Sequence, residues 1–297
     1  MLAVGLALLA ALGFAATAIF ARVGMQGVKP VPSTLISLVV GLFPVLLLAL
    51  LFAMPDIRAL TLAGYGWLLG LGALTFIGGR VVSYIAIYML GASRSSALLG
   101  TGVVFATIFA ITLAGERPHP VLLLGTAGVV IGLLIATQDS IRLGWSRDRV
   151  SLVGYLLTLV AAASYGSGNV AAKELTEAYG SPLMITAFSL LFGILLLAPL
   201  AGRQAIESLQ ASGRDLRFSG SAAMSGLAAT LAVVALYYAL QRGDVTLVAP
   251  VASITPILTL LLAKVFISRL ERITRRVLVG TVLTVGGVIV AVLGSMI

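Results

Sequence analysis

GERPHPVLLLGTAGVVIG (Gly115–Gly132) and LERITRRVLVGTVLTVGG (Leu270–Gly287) decide the fold. Each carries a Glu-Arg pair, then a glycine, then a second glycine. Glu116 and Glu271, Gly125 and Gly280, and Gly132 and Gly287 all stand 155 positions apart. Further back, Gly91-Ala92 matches Gly243-Asp244 at 152 positions, Arg22 matches Lys173 at 151, and Pro32 matches Pro182 at 150. ALGFAATAIFAR (Ala11–Arg22) thereby lies over AAASYGSGNVAAK (Ala161–Lys173). Loop insertions leave such a drift, and the chain reads as two homologous halves, 1–145 and 150–297.

The medium is set by composition. Of 297 residues, 60% are hydrophobic and 10% charged, against about 25% charged in a soluble domain. So few charged side chains cannot cover a water-exposed surface of this size, so the chain is expected in a membrane. Apolar runs of spanning length fall at 2–21, 33–54, 66–90, 95–114, 119–137, 151–172, 182–200, 219–240, 246–267 and 276–295, each near the ~20 residues that a helix needs to cross. The runs are continuous rather than alternating, which excludes a β-barrel. The longest loops, 138–150 and 202–218, cannot hold a folded head or a nucleotide-binding domain. The apolar start, with no basic segment before it, reads as the first span rather than a cleaved leader.

The expected fold is therefore all-α and integral to the membrane: ten transmembrane helices in two five-helix repeats around a central cavity. Five is odd, so the second half enters from the opposite face and the repeats are inverted, as in alternating-access transporters with a midplane site. Glycines inside the spans (Gly70, Gly72, Gly78, Gly79, Gly125, Gly128, Gly132, Gly286, Gly287) suit close helix packing.

The ordered set of motifs resembles the drug/metabolite transporter superfamily, specifically its EamA-type members. It comprises Tyr237-Tyr238-Ala239-Leu240, Gly243, Val248-Ala249-Pro250, Pro256 and Leu270-Glu271-Arg272-Ile273-Thr274. In the first half it comprises Tyr88, Gly91-Ala92-Ser93, Ala97 and Gly115-Glu116-Arg117. The resemblance covers the whole chain and implies an exporter of amino acids or other small metabolites, the YddG-type aromatic amino-acid exporters included. Three positions depart from the pattern: Leu270 for a glycine, Phe14 for a tryptophan, and Val104 opposite Pro256.

Arg80, in the middle of the third run, is the sharpest chemical feature. A charge at bilayer depth costs roughly 2.5–3.5 kcal/mol to insert, so it faces a partner or a cavity. Helical spacing puts Ser83, Tyr84 and Ile87 on its face and Tyr88 at the edge. A guanidinium beside hydroxyls can hold a carboxylate bidentately. Thr101, Tyr165, Asn169, Tyr237 and Ser253 complete the candidate binding set. Pro250 and Pro256 interrupt the ninth run, and Glu116 and Glu271, beside Arg117 and Arg272, are candidate structural or gating ion pairs. His119 reads as a solvated loop residue.

All ten acidic residues fall in loops or at helix ends, which argues against proton-coupled cation export. No Cys, a single His and no clustered acids in the spans argue against a metal, a cofactor and a membrane-embedded enzyme. The net charge of +9 is expected to meet lipid rather than nucleic acid. The expected partners are the bilayer of the inner membrane and a small carboxylate-bearing substrate, with the chain a monomer rather than a dimer. The alternatives are a proton-coupled transporter of drugs, organic anions or nucleotide-sugar-like metabolites, and a lipid flippase. Counting span-end and loop arginines and lysines gives fourteen on the side opposite the N-terminus and four beside it. The positive-inside rule then puts both termini outside, whereas the resemblance implies termini inside.

Overall fold

A computed structural model describes residues 1–144, 149–212, 216–266 and 275–296, and every regular element among them is helical. The order is α1 (Leu2–Gly24), α2 (Pro30–Phe52), the short α3 (Met54–Ala59), and α4 (Leu62–Gly72). A π-helical segment (Ala73–Val81) continues α4 directly into α5 (Val82–Leu90). Then come α6 (Ala92–Leu99), α7 (Gly102–Thr112), α8 (Pro120–Gly144), α9 (Arg149–Tyr179), α10 (Pro182–Ser212) and α11 (Leu216–Leu240). The chain ends with α12 (Val245–Ala252), α13 (Thr255–Phe266) and α14 (Arg275–Gly294).

Seven stretches among the described residues are long and apolar enough to cross a membrane: Leu2–Gly24, Pro30–Phe52, Leu62–Leu90, Ala92–Thr112, Pro182–Ser208, Arg217–Leu240 and Val245–Phe266. They correspond to seven of the ten runs read from the sequence. The fifth and tenth runs hold shorter apolar helices, Pro120–Ile135 and Val282–Gly294. The sixth lies in α9, whose middle carries Ser164, Tyr165, Ser167 and Asn169 and so is less apolar than its neighbours.

That polar middle is explained by position. α9 packs against the π-helical segment, α5, α6 and α7, and so runs through the inside of the bundle rather than along its rim. α1 lies along α11, α2 along α10, and α8 along α14. The α8–α14 seam is built on glycine. Gly125 abuts the main chain of Ala291 and Gly287, Gly132 that of Thr284, and Gly294 that of Leu122. In lipid, apolar area gains nothing by turning inward, so backbone proximity and dispersion hold such a seam.

Two helices are broken at corresponding points. α6 is eight residues long and ends at Leu99, and α7 resumes at Gly102. α12 is also eight residues long and ends at Ala252, and α13 resumes at Thr255. Local hydroxyls satisfy carbonyls at both breaks: Thr101 donates to Leu98 O at 2.6 Å, and Thr255 donates to Ala252 O at 2.7 Å. Pro250 and Pro256 account for the second break, because proline lacks the N–H that continues the helix. The first break has no proline and falls at Gly100-Thr101.

A side chain at Gly125 has no room against the α14 main chain. Gly125→Val is expected to destabilise the detergent-solubilised protein by about 2 kcal/mol, read as a lowered Tm by circular dichroism. Gly286→Ala, in open space, is expected to leave Tm unchanged.

Candidate functional site

Arg80 is 3% exposed and belongs to the π-helical segment Ala73–Val81. A π turn bonds each N–H to the fifth residue back and so widens the helix, a feature concentrated at functional sites. The Arg80 guanidinium carbon lies 5.1 Å from the centre of the Phe76 ring, a cation–π contact one turn away on the same segment. Nη1 of Arg80 is buried with no hydrogen-bond partner among the described residues. The buried hydroxyls of Thr75 and Tyr237 lie beside each other nearby. The π segment approaches α9 closely. A Cβ at Gly79 would overlap the Tyr165 ring and one at Gly78 would crowd Ser164, so glycine here is what lets Tyr165 approach.

Beside Arg80 lies a cavity of about 170 Å³. Arg80, Ser83, Tyr84, Tyr165, Asn169 and Ser253 line it, together with Ile87 and Pro256. Thr17, Ser96 and Thr255 add hydroxyls, and the rest of the wall is apolar, with Phe14, Leu99, Val103 and Leu236 prominent. Both helix breaks open onto it, through Leu99, Gly100 and Gly102 on one side and Ala252, Ser253 and Thr255 on the other. The hydroxyls are anchored in place. Ser83 donates to the Arg80 carbonyl at 3.0 Å and lies 3.4 Å from the Tyr165 hydroxyl. Tyr84 donates to Ser225 on α11 at 3.2 Å, and Ser253 donates to the Pro250 carbonyl at 2.7 Å.

Three sequence candidates stand outside the cavity lining. Tyr88 is 52% exposed and points away; the edge of the Arg80 face, where the helical wheel put it, turns out to be the rim of the bundle. The carbonyls of Ile87 and Tyr88 instead accept from Arg22, whose cation caps the end of α5. The Thr101 side chain is occupied at its own helix break. Tyr237 is buried behind Arg80 rather than on the cavity wall. Phe76, Thr75, Thr17 and Ser225 were not singled out from the sequence, because apolar and hydroxyl residues are ordinary in a membrane helix. The spacing of Phe76 and Arg80 was the available signal.

A second polar cluster lies at the end of the bundle where α7 and α9 finish and α12 begins. Lys173 Nζ lies 3.1 Å from Glu116 Oε1 and 2.6 Å from Asp244 Oδ1. Glu116 also accepts from the main-chain N–H groups of Val245 at 2.8 Å and Thr246 at 3.0 Å, capping α12. The turn at Gly115, with φ of 69°, is open to glycine without strain and turns Glu116 inward. Sequence adjacency pointed to Arg117 as the partner of Glu116; the structure gives Lys173, and Arg117 is exposed. Burial disfavours the Lys173 ammonium, but Asp244 and Glu116 outweigh it and hold the group above its ordinary value. Glu271 lies outside the described residues. A wider depression of about 600 Å³, lined by Arg117, His119, Lys173, Asp244 and Thr246, covers this cluster. The central cavity reaches Asn169 on α9 and Ala249 on α12. The two spaces are thus one helical turn apart on both helices, with Glu116 and Lys173 at the divide.

The sequence profile of the EamA-like transporter family matches residues 1–138 and 152–293, nearly the whole chain. The chain belongs to this family. EamA-like proteins are membrane transporters within the drug/metabolite transporter superfamily. Two relatives are each named "Probable amino-acid metabolite efflux pump". The Salmonella typhimurium protein is 25% identical over 97% of this chain and 94% of its own. The Escherichia coli protein is 25% identical over 61% of this chain, a match spanning 56% of its own length. A crystal structure of a protein 18% identical shares the fold of this EamA-like chain. Its TM-score is 0.70, over 99% of this chain and 96% of its own.

Glu116 holds one cation and two N–H groups while 8% exposed. Glu116→Ala is therefore expected to cost about 3 kcal/mol of stability, because it leaves Lys173 and the α12 terminus unpaired. Arg117→Ala is expected to stay within about 0.5 kcal/mol. Thermal unfolding of the two variants in detergent checks both values.

Proposed function

We propose that the chain is a secondary transporter that exports small carboxylate-bearing metabolites, amino acids and their derivatives foremost, across the bacterial plasma membrane. It works by alternating access to a mid-membrane site between two inverted five-helix halves, 1–145 and 150–297. One observation carries the reading: a buried guanidinium, with Nη1 free of any partner among the described residues, on the wall of a small apolar cavity. A carboxylate neutralises that charge and can accept two bonds from its fork. The cavity, at about 170 Å³, is below the roughly 300–1,000 Å³ of sites for drug-sized ligands, which favours small metabolites. The names of both bacterial relatives point the same way.

The two matched helix breaks and the family match in two segments support a repeat. The Glu116–Lys173 cluster supports a gate. It joins α9 and α12 of the second half to the α7–α8 loop of the first, and only a turn of helix separates the central cavity from the outer depression. The substrate would sit between Arg80, Ser83, Tyr84, Tyr165, Asn169 and Ser253, with Pro250 and Pro256 shaping the α12–α13 side.

Purified protein in liposomes is expected to move a labelled amino acid or small carboxylate across the bilayer. Arg80→Gln is expected to reduce that flux about tenfold or more, the effect of losing a charge-assisted bidentate contact. Normal flux in a folded Arg80→Gln protein removes Arg80 from the site. Orientation follows from the loop charges: a C-terminal alkaline phosphatase fusion is expected to be active outside the cytoplasm, and an inactive fusion puts the termini inside.

A further inference from the structure

The cavity has a cation and no anion. Arg80 is the charged residue on its wall, and among the described residues no aspartate or glutamate lines it. The nearest carboxylate by helix position, Glu116, is held by Lys173 and by two main-chain N–H groups. Asp244 and Glu177, also beside Lys173, are more than half exposed, on the outer side of the divide. The remaining polar groups of the cavity are neutral: Asn169 and hydroxyls, among them Thr17, which donates to Gly13 O at 2.8 Å.

A zwitterion entering this space brings a carboxylate for Arg80 and an ammonium that meets only neutral oxygens. The occupied cavity then carries one net positive charge in low dielectric. An organic anion without an ammonium leaves the occupied cavity neutral. Burying an unpaired charge is the costlier outcome. We propose that the site selects small amphipathic monocarboxylates lacking a free ammonium, such as N-acylated amino acids and their α-keto acids, over the zwitterionic amino acids. This rests on the carboxylate reading of Arg80 and narrows its substrate class. The apolar side chain of such an acid lies against Phe14, Ile87, Leu99, Val103 and Leu236, and its carboxylate against the Arg80 side chain that lines the wall.

The test uses the full chain in phosphatidylcholine liposomes near neutral pH. Uptake of labelled leucine, N-acetylleucine and α-ketoisocaproate is measured, each with and without a potassium–valinomycin potential. The expected result is that both anions move at least about tenfold faster than leucine, and that an inside-positive potential speeds them and not leucine. Carriage of all three with leucine equal or faster overturns the selectivity while leaving a carboxylate transporter. No carriage of any of them by a monodisperse, cooperatively unfolding protein overturns both the selectivity and the carboxylate reading. The comparison needs no variant. Arg80→Gln, where it folds, is expected to abolish the preference, and a preference that survives it overturns the assignment to Arg80.

Discussion

A guanidinium cannot be left bare in a membrane-embedded bundle, and much of the structure around Arg80 follows from that. Its charge is met on one side by the face of Phe76. The π turn carries both residues, and the glycines beside Arg80 let Tyr165 of α9 come close. Nη1 stays without a hydrogen bond among the described residues and is closed off inside the bundle, while the Arg80 side chain as a whole lines the cavity. A charge that was only structural would be expected to have its donors filled by protein. A buried guanidinium with a donor unfilled, on a side chain that lines a cavity, is what separates a binding residue from a snorkelling one.

The cavity exists because two helices fail to be continuous. α6–α7 and α12–α13 stop for two residues at matching places and present those places to Arg80 and α9. Irregular backbone at membrane depth is tolerated where it lines a cavity or is buried in protein, and hydroxyls of Thr101, Ser253 and Thr255 satisfy the carbonyls at the breaks. Proline imposes the interruption in one helix. In the other, Gly100 and Thr101 achieve it without a proline, so the same geometry has two different sequence signatures.

That difference explains what could be read from the chain and what could not. Pro250 and Pro256 announce the second break; Val104, the counterpart of Pro256 in the first half, conceals the first. The face shared by Arg80, Ser83, Tyr84 and Ile87 was legible, because α-helical spacing resumes at Val82. Tyr88 was misplaced because a helical wheel gives angular order but not where the bundle ends. Lys173 was visible as the counterpart of Arg22, but its partners come from a loop 57 residues away and from a helix start 71 residues on. Such pairings are products of tertiary packing, and adjacency favoured Arg117 instead. The polar centre of α9 looked like a weak span and is explained by its place inside the bundle.

The charged divide and the substrate charge belong to one energetic problem. In the proposed cycle, the Glu116–Lys173 cluster keeps one route closed while the cavity is filled. Removing one partner of a buried pair costs on the order of 3–5 kcal/mol, an upper bound for parting the two into water, and inverting a two-state equilibrium from 1:99 to 99:1 requires about 5.5 kcal/mol of differential binding. The quantities are comparable, so a ligand that neutralises Arg80 can supply enough to shift the balance, provided it binds the two states unequally. A divide much thicker than one helical turn would have more contacts to break than one small carboxylate could offset. The thinness of the barrier between Asn169 and Lys173 is therefore matched to the small size of the cavity, and both fit a transporter of small metabolites.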